Sequence, residues 1–130
     1  MATGSIALTE SRSGIKLLTV HGEHDLYTAP RLRQQLDALL DARTSVVVDL
    51  TGATFVDSSI LGALLNARQR AIEEGCGFAV CLQPDTEPSV RRIFEMTGLV
   101  GTLPVLQTVE EAEQAAAAGP PEEHDGGNGQ

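Results

Sequence analysis

Residues 45–65 read SVVVDLTGATFVDSSILGALL, and this stretch decides the fold. It begins with the consecutive valines at residues 46–48, which are typical of a β-strand buried on both faces. It then passes through the polar turn at residues 57–59 into an apolar run that predicts a helix ending at Gly75. A buried strand followed by a helix is the repeating unit of α/β folds.

The rest of the chain alternates in the same way. Short strands at residues 6–8 and 15–20, around a turn at residues 11–14, predict an antiparallel hairpin. The later elements are a helix with Thr28 as its cap, strands at residues 78–82 and 104–106, a helix at residues 88–97 and a final helix capped by Thr108. We therefore predict an α/β fold whose mostly parallel mixed sheet has an N-terminal antiparallel hairpin and four crossover or packing helices.

The charge of the chain excludes several classes of function. Its 130 residues include 18 acidic and 9 basic side chains, and the formal net charge is −9. Because phosphate neutralisation supplies most of the non-specific affinity for nucleic acids, we expect no direct nucleic-acid binding.

The longest apolar run, at residues 60–65, is far shorter than the about 18 residues of a membrane helix. Since no signal peptide is visible, we expect a cytoplasmic protein without membrane contact.

The C-terminal residues differ in composition from the rest. Residues 119–130 read GPPEEHDGGNGQ and contain no apolar side chain other than prolines. Such a segment cannot bury enough apolar surface to offset the entropy lost on ordering it. We therefore expect one domain at residues 1–118, followed by a disordered acidic tail at residues 119–130.

Two sets of residues suggest metal or redox chemistry at first sight. Residues 21–25, HGEHD, hold imidazoles and carboxylates, but their spacing fits no structural zinc pattern, so a polar loop after a strand is favoured over a metal site. Cys76 and Cys81 lie in one extended segment, which would separate them by roughly 16 Å. A disulfide needs Cα atoms within about 7 Å, so we expect free thiols, with Cys81 in the core and Cys76 accessible.

The turn Asp57-Ser58-Ser59 is the candidate functional motif. As a structural feature it is a helix N-cap, because Asp and Ser side chains accept hydrogen bonds from the first backbone N–H groups of a helix. The same position exposes a serine hydroxyl, and a phosphate there would face those N–H groups and the positive end of the helix dipole. Capping and phosphorylation are compatible, since one residue can cap while its neighbour is modified.

Four segments of the chain together resemble a known family. They are GEHDLYTAP at residues 22–30, VVDLT at residues 47–51, FVDSS at residues 55–59 and GLVG at residues 98–101. In this order they are similar to a STAS domain of the anti-sigma factor antagonist type, and the resemblance covers residues 5–117.

The resemblance implies a protein-binding switch with no catalytic residues, metal or cofactor. In this family, a serine of the Asp-Ser-Ser turn is phosphorylated by a cognate anti-sigma factor that is also a serine kinase. The unmodified form binds that kinase and frees the sigma factor. The matching acceptor here is Ser58, between Asp57 and Ser59. We expect Asp25 to lie nearby, at the end of the neighbouring strand, and we expect the protein to be a monomer.

The chain departs from the family pattern at two positions. Ile60 stands where the family has Gly after the Asp-Ser-Ser turn, and His24 stands where an apolar residue is commoner. An outward Ile60 side chain would change the surface on which the partner docks, next to the acceptor. An inward side chain would belong to the core and carry no specificity.

Two other functions compete with the switch. The first is a STAS module that binds protein without phosphorylation, as a subunit of a larger signalling or transport complex. The second is a small enzyme using His21, His24 and Asp25. The enzyme is disfavoured because the sequence has no cofactor motif and no nucleophile–base pair.

Overall fold

The computed structural model describes residues 4–12 and 14–122, with the backbone alone at Arg12. Within these residues the chain forms six strands and five helices. The strands are β1 (Ser5–Arg12), β2 (Ile15–His24), β3 (Ser45–Asp49), β4 (Ala53–Val56), β5 (Phe78–Cys81) and β6 (Val105–Leu106). The helices are α1 (Ala29–Asp41), α2 (Ser58–Glu74), α3 (Pro88–Met96), α4 (Leu99–Thr102) and α5 (Val109–Ala117).

The strands form one mixed sheet in the order β1-β2-β3-β5-β6. Strand β1 is antiparallel to β2, and all other pairs are parallel. The long strand β2 pairs twice: its first half lies beside β3, and its last residues lie beside β4. The predicted α/β class and the N-terminal hairpin are confirmed, while the short elements β4 and α4 were not predicted.

The sheet is covered on both faces, which explains the apolar valine run. Val46 and Val48 face the larger core, where α1, α2 and α3 pack. Val47 faces a smaller cluster on the opposite side, where Ala112 and Ala116 of α5 cover the sheet. All three valines are completely buried, so the predicted strand with two buried faces is confirmed.

Helix ends follow local sequence signals. Helix α2 ends at Gly75, whose φ of 73° places it in the left-handed region that glycine adopts without strain. The Thr108 hydroxyl accepts a hydrogen bond of 3.0 Å from the amide of Glu111 and caps α5 as predicted. Thr28 precedes α1 as predicted, but its side chain caps no amide of that helix.

Helix α5 approaches the sheet very closely at one point. A Cβ atom added to Gly77 would overlap the backbone carbonyl of Ala116. Only glycine allows this contact, which brings the end of α5 against the start of β5. The neighbouring Cys76 is buried in the larger core cluster, so the expectation that Cys76 is accessible was wrong.

The described part of the predicted tail contacts the domain. Arg68 on α2 is 8% exposed, and its Nη2 donates a hydrogen bond of 2.8 Å to the Glu122 carbonyl. Residues 119–122 are therefore attached to the domain in this structure, although the composition suggested a boundary before them. Residues 123–130 lie outside the described residues.

Candidate functional site

The start of α2 is built around Asp57. This residue is the N-cap of the helix, with extended backbone dihedrals of φ −115° and ψ −174°. Its Oδ1 accepts hydrogen bonds from the amides of Ser59 and Ile60, at 2.9 and 3.4 Å. The predicted cap is therefore confirmed, and Asp57 is the residue that forms it. Two of the amides that were expected to face a phosphate are already bonded to this carboxylate.

Ser58 is the first residue of α2, and its side chain is exposed. Ser59 is half-buried beside it. Because Asp57 performs the capping, the Ser58 hydroxyl is not required to hold the helix end. A hydroxyl that is exposed and structurally dispensable is suited to modification.

The register between β2 and β4 brings a second carboxylate to the site. His24 pairs with Val56 in this parallel ladder, and Asp25 and Asp57 are the residues that follow them. Neighbouring strands lie about 4.8 Å apart, so the two acidic residues leave the sheet at adjacent positions. The sequence-based expectation that Asp25 follows the strand beside the turn agrees with this register.

Asp25 is held by the turn that leads into α1. Its Oδ1 accepts a hydrogen bond of 2.9 Å from the amide of Tyr27, and its own amide donates to the Thr28 hydroxyl at 2.9 Å. The backbone carbonyl of Asp25 accepts from the amides of Thr28 and Ala29. These bonds fix the loop, and the half-buried Asp25 side chain is one of its ordered parts.

His24 lies underneath this turn and is 1% exposed. Its Nε2 lies 2.9 Å from the carbonyl oxygen of His21, and its Nδ1 lies 3.1 Å from the Thr28 hydroxyl. Both ring nitrogens thus have partners within the fold, as a buried imidazole requires. Residues 21–24 belong to β2, so the prediction that they form a loop was wrong.

Three exposed apolar side chains lie in the segments that lead into the site. Leu26 and Tyr27 follow Asp25 and are 57% and 81% exposed, and Phe55 at the end of β4 is 47% exposed. Sequence reasoning assigned these residues no role. No local sequence signal predicted this exposure, and with Tyr27 and Phe55 exposed only Phe78 and Phe94 remain as aromatic residues in the core. Exposed aromatic side chains such as these are enriched in protein-binding surfaces.

Ile60, the departure from the family pattern, points into the protein. Its side chain is completely buried and belongs to the larger core cluster. The structure therefore decides between the two alternatives in favour of a core residue. The alternative of an outward Ile60 that alters the docking surface is excluded, because a completely buried side chain offers no surface to a partner.

The described residues give little support to a metal site or to reactive cysteines. No group of three or more His, Cys, Asp or Glu side chains in residues 4–12 and 14–122 is arranged to hold a metal ion. Cys76 and Cys81 are both free and buried in this structure. Burial raises the pKa of Cys81 to about 11, and the nearby Asp49 carboxylate acts in the same direction. Burial also raises the pKa of Cys76, with a further contribution from Glu74.

Within the same part of the chain, no helix has the length and hydrophobicity needed to cross a membrane.

Comparison with known proteins identifies a family and relatives to which this chain is similar. The family model described as STAS domain matches residues 7–112. An anti-sigma F factor antagonist from Paenibacillus polymyxa is 32% identical over 98 residues, which is 74% of this chain and 81% of the relative.

Solved structures show the same fold. The crystal structure of an anti-sigma factor antagonist from Mycobacterium paratuberculosis is similar with a TM-score of 0.76 and 29% identity, covering 88% of this chain and 95% of that one. The phosphorylated form of the Bacillus cell fate determinant SpoIIAA has a TM-score of 0.62 and 20% identity, covering 85% of this chain and 97% of that one. With a family match over most of its length, this chain belongs to the STAS domain family.

Proposed function

We propose that this protein is an anti-sigma factor antagonist. In this proposal it binds a cognate anti-sigma factor of the serine kinase type, releases the sigma factor, and is switched off by phosphorylation of Ser58. The observation that carries the proposal is the exposed Ser58 hydroxyl at the first position of α2, beside a carboxylate that already caps the helix. The name of the 32% identical relative supports the binding partner.

The surface around Ser58 has the composition of a binding site for a protein. We define the switch surface as Asp25, Leu26, Tyr27, Phe55 and Ser58. Its apolar members supply area that a partner can bury, and Asp25 supplies charge beside the acceptor. Truncating large exposed anchors of this kind typically costs about 2 kcal/mol or more of binding free energy when they lie at the centre of an interface.

Phosphorylation of Ser58 would change this surface through charge. A phosphoserine carries about −1.5 to −2 charges at neutral pH. It would be added next to Asp57 and the neighbouring Asp25, on a chain that already has a net charge of −9. A partner that buries the apolar side chains would have to desolvate this concentrated negative charge, and binding would weaken. The domain acts as a regulatory binding protein in this mechanism, and the active unit is a monomer.

A kinase assay tests the proposal directly. The protein is incubated with ATP and a kinase-type anti-sigma factor, and its mass is measured. We expect a gain of one phosphate that is absent in Ser58→Ala and retained in Ser59→Ala, because Ser59 is half-buried while Ser58 is exposed. Binding without phosphate transfer would support the alternative of a STAS module that has no phosphorylation switch. The absence of both binding and phosphate transfer would contradict the proposal as a whole.

A further inference from the structure

A cavity of about 320 Å³ lies between the last two strands and the helices α3 and α4, and its lining includes none of the residues of the switch surface. It is lined by Leu82, Arg91, Glu95, Val100, Val105 and Gln107. Leu82 directly follows β5 and Gln107 directly follows β6, so the cavity opens at the carboxyl ends of parallel strands. In open α/β sheets this edge is where small ligands bind. The volume lies at the lower end of the range for ligand sites, which indicates a small ligand.

Arg91 supplies a fixed positive group at this cavity. Its Nη1 donates a hydrogen bond of 3.2 Å to the carbonyl oxygen of Gln83, just beyond β5. A guanidinium group has five N–H donors, and this bond uses one of them. The backbone contact restricts the side chain, so less conformational entropy is lost when a carboxylate binds to the remaining donors.

Glu95 supplies a negative group one helical turn further along α3. Residues four apart lie on the same face of a helix, about 5–6 Å apart at Cβ. Within the described residues, no ion pair joins Glu95 to Arg91, even though both line the cavity. The site therefore presents separate positive and negative groups, beside walls formed by Leu82, Val100 and Val105.

These features select the charge type of the ligand. A simple anion would be attracted by Arg91 but repelled by Glu95 and by the net charge of −9 on the chain. A simple cation would be attracted by Glu95 and by the net charge of the chain but repelled by Arg91. A zwitterion satisfies both groups and carries no net charge, and an aliphatic side chain would bury itself against the apolar walls.

We propose that this cavity binds a small aliphatic α-amino acid. Its carboxylate would contact Arg91, its ammonium group would contact Glu95, and its side chain would lie against Leu82, Val100 and Val105. The site shares no residue with the switch surface, so this inference goes beyond the proposed function and neither depends on the other.

Titration of the full chain with L-leucine, followed by ¹H–¹⁵N NMR, tests the proposal. We expect saturable shifts at the amides of Leu82, Val105 and Gln107. Two analogues each remove one charge: 4-methylpentanoate lacks the ammonium group, and isopentylamine lacks the carboxylate. Each should bind at least about tenfold more weakly than leucine. No saturable shift up to about 10 mM leucine, or equal binding of an analogue, would overturn the proposal.

Charge-removing variants locate the site. Arg91→Gln and Glu95→Gln should each weaken leucine binding about tenfold. Arg92→Gln is the matched control, because Arg92 is the exposed neighbour of Arg91 and does not line the cavity. Equal binding by the Arg91 and Arg92 variants would refute the assignment. If Arg91→Gln does not fold, the two analogues in the unaltered protein decide the outcome.

Discussion

Asp25 and Asp57 follow the paired residues of one parallel ladder and thus leave the sheet side by side. They are distant in sequence, and the pairing of β2 with β4 is what brings them together. Asp57 is committed to capping α2, while Asp25 is bonded to the amide of Tyr27. Each carboxylate therefore has a structural task, and together they give the environment of Ser58 a negative charge.

A charged replacement of Ser58 should reproduce the inactive state. We expect Ser58→Asp to weaken binding of the anti-sigma factor at least about tenfold, because a third negative group is added beside two carboxylates. Ser58→Ala should bind like the unaltered protein. Calorimetric titration of all three proteins measures the effect. Equal affinities would show that charge at this position does not control binding.

Ile60 should contribute to stability and not to binding. Removing a buried Ile side chain typically costs about 2–5 kcal/mol of unfolding free energy, and Gly in a helix costs roughly a further 1 kcal/mol relative to Ala. We therefore expect Ile60→Gly to be strongly destabilised in urea melts, and Ile60→Val to lose only about 0.5–1.5 kcal/mol. Partner affinity of the Val variant should be unchanged. A large loss of affinity in that stable variant would indicate that Ile60 does influence the interface.

Truncation should reveal how much the contact between Arg68 and Glu122 contributes to the stability of the domain. A chain ending at residue 118 leaves the buried Arg68 without the carbonyl that it contacts. Losing a partner of a buried polar group costs about 1–3 kcal/mol. A chain ending at residue 122 keeps that carbonyl and should melt like the full chain. If both truncations have the same melting temperature as the full chain, the Glu122 contact contributes nothing to stability.

Cys81 should make stability fall at alkaline pH. Its pKa is about 11 in the folded protein, compared with an ordinary value of 9.0. The folded state therefore holds the thiol proton more tightly, and this contribution is fully present below pH 9.0 and is lost as pH rises towards about 11. Urea melts across that interval should show decreasing unfolding free energy.

The matched variant for this test is Cys81→Ala, which has no thiol to titrate. It should be less stable at neutral pH because of the smaller side chain, but its stability should depend less on pH over the same interval. An identical pH dependence in both proteins would assign the alkaline loss to other groups.

Sequence reasoning succeeded where local signals determine the structure. The valines at residues 46–48, the Asp57 cap and the Gly75 end of α2 each depend on neighbouring residues, and the structure confirms them. The same continuous motif places Ser58 directly after Asp57, at the first position of α2. The role of Ser58 as phosphate acceptor stays a prediction. These features are set by backbone hydrogen bonding and hydrophobic periodicity, which a single sequence displays.

The missed features depend on distant parts of the chain. Strand β4 has four residues and pairs with the end of β2, so neither segment predicts the ladder alone. The polar residues 21–25 suggested a loop, although β2 continues to His24. Burial of Cys76 arises from its place in the larger core cluster, among side chains from distant helices and strands. Tertiary contacts decide each of these cases, and the sequence pattern does not encode them locally.

Asp57 already holds the amides of Ser59 and Ile60, so the helix start has few donors left to receive new oxygen atoms. A phosphoryl group on Ser58 would therefore remain in water and would not draw the backbone into a new arrangement. The free energy of unfolding of the domain would therefore be nearly the same with and without the phosphoryl group. Phosphorylation and dephosphorylation could then occur without unfolding of the domain, so the lifetime of the signal would be set by the enzymes that add and remove the group.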